Sequence, residues 1–208
     1  MKKIVICNIP MKDPKWINKL RYISNDQSLP VSEQAYMYPI NSFLSQTITK
    51  DDELKVILLI KNDGKDFYKS NMDTFMQEMD NHCKNIGLKV EYVPIDTTFD
   101  QKKSTHEELM KRLIDEIDIN SHIMIDITYG PKDLPVVIFT ALNFAEKFLN
   151  CEIDNIIYGQ AEFDESNKVK KGEICDMTPL YYLNSVIDII QCNEPSKAKQ
   201  MLNSLLEL

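Results

Sequence analysis

The feature that most constrains this chain is a succession of short, nearly continuous apolar runs separated by helical patterns. The runs are Lys3–Ile9 (KIVICNI), Leu54–Ile60 (LKVILLI), Leu88–Ile95 (LKVEYVPI), His122–Ile127 (HIMIDI) and Ile153–Gln160 (IDNIIYGQ). A strand wet on one face alternates apolar and polar residues, whereas a strand covered on both faces does not. Several of these runs lack the alternation, so both faces of their sheet must be covered. The intervening segments supply the covers. Tyr38–Thr49, Asn71–Asn85, Thr105–Ile117 and Leu134–Leu149 read as helices. The second places Met72, Phe75, Met76, Met79 and Cys83 at helical spacing and stops at Gly87. The third repeats the pattern with Leu109, Leu113, Ile114 and Ile117. Strands alternating with helices, joined by right-handed crossovers, predict an α/β fold. Its expected form is a Rossmann-like, mostly parallel sheet flanked by helices.

Two segments interrupt the alternation. Pro10–Ala35 is a long, proline-containing connection, and loops of that length inside a domain are usually functional or poorly ordered. Ala161–Pro179 holds the charged turn ESNKVKKGE between two short extended pieces and reads as a surface β-hairpin. The tail, Leu180–Ile190 and Pro195–Leu206, reads as two helices. Residues 1–179 are therefore expected to form the Rossmann-like domain. Residues 180–208 pack on it as helices, either within that domain or as the start of a linker to an effector. The helix from Leu134 begins LPVVIFTAL, apolar on nearly all sides, where a monomer surface helix would show a polar face. Burial under the C-terminal helices explains this, and so does a second subunit. A dimer interface is the expectation.

A length of 208 residues suits one domain with a real core. The formal net charge of −8 argues against a domain that coats DNA or RNA nonspecifically. It leaves room for a local anion site built from amides and one lysine. Cys7, Cys83, Cys151, Cys175 and Cys192 form no CxxC pair and read as structural thiols of a reducing compartment. His82, His106 and His122 are scattered, and no spacing suggests zinc, so neither metal nor cofactor is expected. No apolar stretch approaches a membrane span or a signal peptide, which points to a cytoplasmic protein.

The chemistry concentrates in Ile125–Pro135 (IDITYGPKDLP). This segment leaves a buried strand, turns at Gly130 and enters a helix with proline near its first turn, where proline loses no needed hydrogen bond. Free amides and the positive helix end then point above the strand, where anions bind well. Thr128 and Tyr129 offer hydroxyls, and Lys132 offers a charge. In open α/β sheets the ligand crevice lies beyond the carboxyl ends of the strands. The same residues are also compatible with a plain strand-to-helix turn. The spacing is neither GxGxxG nor a Walker loop, which makes a nicotinamide- or flavin-binding protein an outlying reading.

The run IDITYGPKDLP, the apolar helix after it, and IIYGQAEF before ICDMTPLYYL resemble the CARF family, the CRISPR-associated Rossmann-fold sensors of type III systems. The first strand, the segment Tyr36–Phe43 and VILLIK extend the resemblance over most of the chain. Its most specific element is the DIT-aromatic-G-x-x-x-LP string. The resemblance implies a homodimer that binds a cyclic oligoadenylate, tetra- or hexa-adenylate, on its twofold axis. It implies a part in antiviral defence, with no membrane or DNA partner. A ring of repeated units suits two copies of one patch.

Carried onto this chain, the ligand-binding residues implied are Thr128, Tyr129, Gly130, Pro131 and Lys132 from the second loop. Asn8, Ile9, Pro10, Met11, Lys12 and Asp13 come from the first-strand loop, and Tyr158, Gly159 and Gln160 from the neighbouring strand end. Tyr36, Tyr38, Trp16 and Tyr158 are candidates for adenine stacking. The family often has histidine at Tyr129 and arginine-serine at Lys132-Asp133. Its first-strand loop commonly holds glycines where this chain has NIPMKDP. Lysine keeps the charge without the bidentate fork, and Asp133 adds a negative charge beside the expected phosphates.

Many CARF proteins carry an effector domain. Arg21 and Arg112 are the only arginines, and neither is followed by histidine as an HEPN ribonuclease requires. The chain is thus expected to be a sensor whose effector lies elsewhere. The alternative is a metal-independent ring nuclease. There a ribose 2′-OH attacks the adjacent phosphate to leave a 2′,3′-cyclic phosphate, and Lys132 and Thr128 stabilise the developing charge.

Overall fold

The computed structural model describes residues 1–24, 26, 29–163, 169–189 and 194–206. In chain order the elements are β1 (Lys2–Asn8), a single 3₁₀ turn (Pro14–Trp16), β2 (Leu20–Ile23), β3 (Ala35–Tyr36) and α1 (Pro39–Thr47). Then come β4 (Glu53–Asn62), α2 (Phe67–Ile86), β5 (Val90–Thr98), α3 (Lys103–Asp115), β6 (His122–Asp126) and α4 (Asp133–Phe148). The chain ends with β7 (Glu152–Phe163), β8 (Val169–Asp176), α5 (Thr178–Ile189) and α6 (Pro195–Leu206).

The strands form one eight-stranded sheet in the order β3-β2-β8-β7-β6-β1-β4-β5. The five from β5 to β7 are mutually parallel, while β8 runs antiparallel to β7 and β3 antiparallel to β2. The fold is therefore α/β and Rossmann-like, with a β7–β8 hairpin and a helical tail.

The strand pattern divides the core into two. On β1, Val5 and Cys7 face one side and Ile4 and Ile6 the other. On β4, Val56, Leu58 and Ile60 share the first side, and Ile57 and Leu59 the second. Helices α1 and α2 cover the first face through Ile40, Phe43, Leu44, Phe75, Met79 and Cys83. Helices α3 and α4 cover the second through Leu109, Leu113, Leu134, Ile138, Ala141 and Leu142. These two covers are what the missing alternation demanded. Gly87 ends α2 at φ 75, a left-handed conformation that glycine adopts without strain.

Several expectations need correction. The Pro10–Ala35 connection contains β2, which pairs in parallel with β8 through Tyr22 and Ile23. Only Tyr22 of its four residues is buried, so the segment has no apolar run to announce it. The third strand starts at Val90, not Leu88, and continues to Thr98 because Thr97 and Thr98 pair with Lys61 and Asn62. It tolerates Pro94 because it is an edge strand. The extended pieces of the hairpin are not short surface arms. They are β7 and β8, of 12 and 8 residues, and Ile174 sits in the core. The turn itself, 164–168, lies outside the described residues, as does Cys192.

The apolar start of α4 is partly explained by α5. Tyr181 of α5 is buried against Phe139, and its hydroxyl donates to Glu146. Val136 and Phe148 remain exposed. Among the described residues no helix is long and apolar enough to cross a membrane.

Candidate functional site

The sheet order places the topological switch between β1 and β6. From β1 the chain builds outward through β4 and β5; from β6 it builds the other way through β7. Crevices open above the carboxyl ends of such a strand pair. The ends here are Asn8 and Asp126, and the turn 127–132 rises from the second.

This turn is tied from both sides. The Thr128 amide donates to Asp126 Oδ1 at 2.8 Å. The Thr128 hydroxyl accepts the Gly159 amide at 2.7 Å, pinning the turn to β7. Gly130 stands at φ +90, and a Cβ there would lie 2.9 Å from Leu134 Cδ1 and 3.2 Å from Asn8 Cβ. Helix α4 then starts with no side chain capping its N-terminus among the described residues. Of the amides that open the helix, that of Leu134 donates to the Pro131 carbonyl at 3.2 Å and that of Asp133 bonds its own carboxylate, so what α4 offers an anion is chiefly its positive dipole end.

Asp133, expected to oppose an anion, is drawn aside. Its Oδ2 accepts from Lys61 Nζ at 3.2 Å and meets His106 Nε2 at 3.2 Å. Lys132 is exposed and forms no ion pair among the described residues.

Beneath the turn lies Asn8. Its side chain is wholly buried, and neither Nδ2 nor Oδ1 has a hydrogen-bond partner among the described residues. A buried amide left unmade costs roughly 1–3 kcal/mol, so such groups in a crevice usually serve a ligand or an ordered water.

The first-strand loop and the turn together enclose a pocket of about 390 Å³. Pro10, Met11, Lys12, Thr128, Tyr129 and Gly130 line it as expected, with Trp16 at the rim. Trp16 is 73% exposed, and Lys15 Nζ lies 5.7 Å from its ring centroid. Ile17, Asn18, Leu20 and Ala161, which the sequence reading did not single out, complete the wall.

Other expected residues do not line the pocket, Asn8, Asp13 and Lys132 among them. Ile9 is buried, and Pro131 is half-buried beside Lys132. Tyr158, Gly159 and Gln160 follow along β7 without lining the pocket, although Tyr158 and Gln160 are exposed. Two of the three candidate stacking tyrosines are buried. Tyr38 is fully buried, its hydroxyl donating to the Asn71 carbonyl at 2.9 Å and its ring edge-on to Phe75 and Tyr129. Tyr36 is buried beside a different depression, with Lys19, Glu78 and His82. Neither offers an open ring face, because α1 and α2 close over the residues that lead into α1. Tyr129 is itself partly structural, since its hydroxyl donates to Met37 O at 2.8 Å.

Asn71 is a positioning residue that the sequence reading missed. Its Nδ2 donates to the carbonyls of Pro10 at 2.7 Å and Lys12 at 2.9 Å, holding the first-strand loop against α2. The available signal was an asparagine in line with the apolar stripe Phe75 and Met79 at helical spacing.

Burial pushes Asp126 up to about 6, despite the lowering bonds from Thr128 and the Ile40 amide. Burial first, and then neighbouring acidic groups, push the Tyr129 and Tyr38 phenols well above their ordinary values, so both stay neutral. The Asp126 shift has a defined sign. A folded-state value raised above 3.8 gives stability that is present below that value and lost as pH rises through about 6. Between pH 7 and 4.5 this contributes about 2 kcal/mol in favour of the acid side. Urea unfolding at both pH values, for wild type and Asp126→Asn, should show this difference disappearing from the variant's pH dependence. An unchanged dependence would mean that Asp126 is not desolvated.

A larger depression, about 490 Å³, lies at the opposite end of the sheet. Among its charged residues Lys3 pairs with Asp52 at 2.9 Å and Lys55 with Asp118 at 2.8 Å. No protein-family model matches this chain and no curated protein matches it, so the functional reading rests on the geometry of the switch-point pocket.

Proposed function

We propose that this protein is a CARF-type sensor of type III CRISPR antiviral defence that binds a cyclic oligoadenylate in a pocket shared by two copies of the chain. The observation that carries the reading is the meeting of the first-strand loop and the 127–132 turn around one pocket at the switch point. Two features there suit a phosphate, the positive dipole end of α4 and the close backbone approach at Gly130, and Lys132, exposed two residues beyond Gly130 and without an ion pair among the described residues, adds a charge. The exposed Trp16 ring at the rim suits a base, because stacking needs an open aromatic face. A second copy would present the same donors to the other half of a symmetric ring. The ligand would then act by favouring one arrangement of the dimer, through its differential affinity for two states. The effector it regulates lies outside this chain.

The ring-nuclease reading draws on the same Lys132. Its exposed ammonium, free of a carboxylate partner among the described residues, could stabilise the charge that develops when a 2′-oxygen bonds to phosphorus and the 5′-oxygen departs. The proton of the attacking hydroxyl would end on that 5′-oxygen.

Calorimetry and product analysis with cyclic tri-, tetra- and hexa-adenylate, without added metal, test both readings. The sensor reading expects one intact ring bound per two chains. It also expects Lys132→Ala to weaken binding by about tenfold or more, since each charged phosphate contact contributes about 1.5–3 kcal/mol. Linear products ending in a 2′,3′-cyclic phosphate, abolished by Lys132→Ala, would assign the nuclease. No binding of any ring would overturn both.

A further inference from the structure

A second cluster occupies the amino ends of β6 and β7, at the far end of the sheet from the pocket. His122 opens β6 and stands in register with Glu152 at the start of β7. Ile123 then pairs with Ile153, but Met124 pairs with Asn155, so Asp154 is the extra residue of a bulge. A bulge bends its strand and re-aims a side chain. Here it brings Asp154 Oδ1 to 3.0 Å from His122 Nδ1, with Glu152 Oε2 at 3.7 Å from the same nitrogen. All three ligand atoms lie within 4.8 Å of one another.

These distances are close to those of a metal's coordination shell. Tetrahedral zinc holds nitrogen and oxygen ligands at about 2.0–2.2 Å, which puts the ligand atoms about 3.3–3.5 Å apart. Small side-chain rotations would bring the three atoms onto one ion, leaving a fourth position for water. The backbone beneath them is already fixed, because β6 is paired on both sides, with β1 and β7.

The charge balance also favours a cation. Among the described residues, His122 is the only basic side chain paired with Glu152 or Asp154. Two carboxylates thus share one basic partner. On α5, the Tyr182 hydroxyl donates to the Ile153 carbonyl at 2.8 Å. The helix thus packs beside the cluster without supplying a positive charge. His122 and Asp154 are partly buried, which shields them from competing water without closing the approach of an ion.

We propose that His122, Glu152 and Asp154 bind a divalent transition-metal ion. Zinc fits best, because one imidazole and two carboxylates match its ligand preferences. The ion pins the starts of β6 and β7 together beneath α5 and has a structural part, remote from the switch-point pocket. Thirty residues separate the histidine from the carboxylates, so no sequence motif announces the site.

The test is calorimetric titration of zinc into metal-free protein carrying Cys175→Ser and Cys192→Ser, so that these thiols do not compete. The expected result is a single ion bound per chain, a zinc-dependent rise in unfolding midpoint, and a shift of the His122 imidazole resonances. His122→Asn and Asp154→Asn should each weaken binding by at least about tenfold and remove the zinc-dependent rise. Their metal-free unfolding midpoints, set beside that of the parent, separate loss of the His122–Asp154 contact from loss of ligation. Absence of zinc binding in the parent, or binding that both substitutions leave unchanged, would overturn the site.

Discussion

Replacing Lys61 with methionine should destabilise the fold by about 3 kcal/mol, because breaking a buried ion pair leaves its partner charge uncompensated. The Lys61 side chain is completely buried at the carboxyl end of β4, where its Nζ reaches Asp133 Oδ2 at 3.2 Å and the Thr98 carbonyl at 3.4 Å. Methionine keeps most of the shape and removes the charge. Asp133 then keeps His106, its own amide and Gln101 but loses its one full positive charge at close range. Its edge retains some exposure, which places the cost at the low end of the range for buried pairs. The double variant Lys61→Met/Asp133→Leu should recover most of the loss, since removing both charges removes the mismatch. A shift in urea midpoint at unchanged slope reports the effect. A loss below about 1 kcal/mol for the single variant would show that water compensates the carboxylate.

The same pair has a pH signature opposite to that of Asp126. Burial works to raise Asp133, but the hydrogen bond and charge of Lys61, with help from its own amide and Gln101, hold it below its ordinary value. A depressed carboxylate gives stability that is present above its unfolded value and lost as pH falls through the folded one. The deficit of Lys61→Met should therefore be complete at neutral pH and shrink in strong acid.

The second large effect is expected at Gly159, where alanine should cost about 3 kcal/mol or more through overpacking. A Cβ there would stand 2.2 Å from Pro39 Cγ and 3.1 Å from both Pro39 Cβ and Thr128 Oγ1. Pro39 is buried at the first position of α1, and its ring cannot rotate away. Relief requires β7 or α1 to move, and either shift disturbs the Gly159–Thr128 bond that anchors the pocket turn. The expected fall in melting temperature is about 6–12 °C for a chain of this size, with loss of ligand binding alongside it. Gly64→Ala is the control, since a Cβ there meets nothing within 4 Å and only its φ of +83 is strained. Its cost should stay near 1–2 kcal/mol, roughly. A Gly159→Ala protein melting within about 2 °C of wild type would show that the packing around Pro39 yields.

Much of the frame was legible because it is written in local periodicity. The strands β1, β4, β6 and β7 and the helices α2, α3 and α4 were all evident from runs and spacings, within a few residues at their ends. The turn at Gly130 was legible for the same reason, as a glycine and a proline where a strand hands over to a helix. β2 was not, because four residues with one buried side chain carry no period. The stacking candidates were sorted only by burial. Tyr36, Tyr38 and Trp16 look equivalent in a string of letters, yet two are buried where α1 and α2 close over them, and the third stands in solvent at the pocket rim.

The sequence alone determined that a sheet covered on both faces would form, and that an anion-suited turn would follow its fourth apolar run. Both depend on residues adjacent along the chain, whose side-chain directions follow from the helical and strand repeats. The tertiary structure alone decided which distant residues meet: Asn71 with the first-strand loop, Lys61 with Asp133, and His122 with Glu152 and Asp154. Strand order and a one-residue bulge set those contacts, and packing chooses both across the whole fold, beyond the reach of any local pattern.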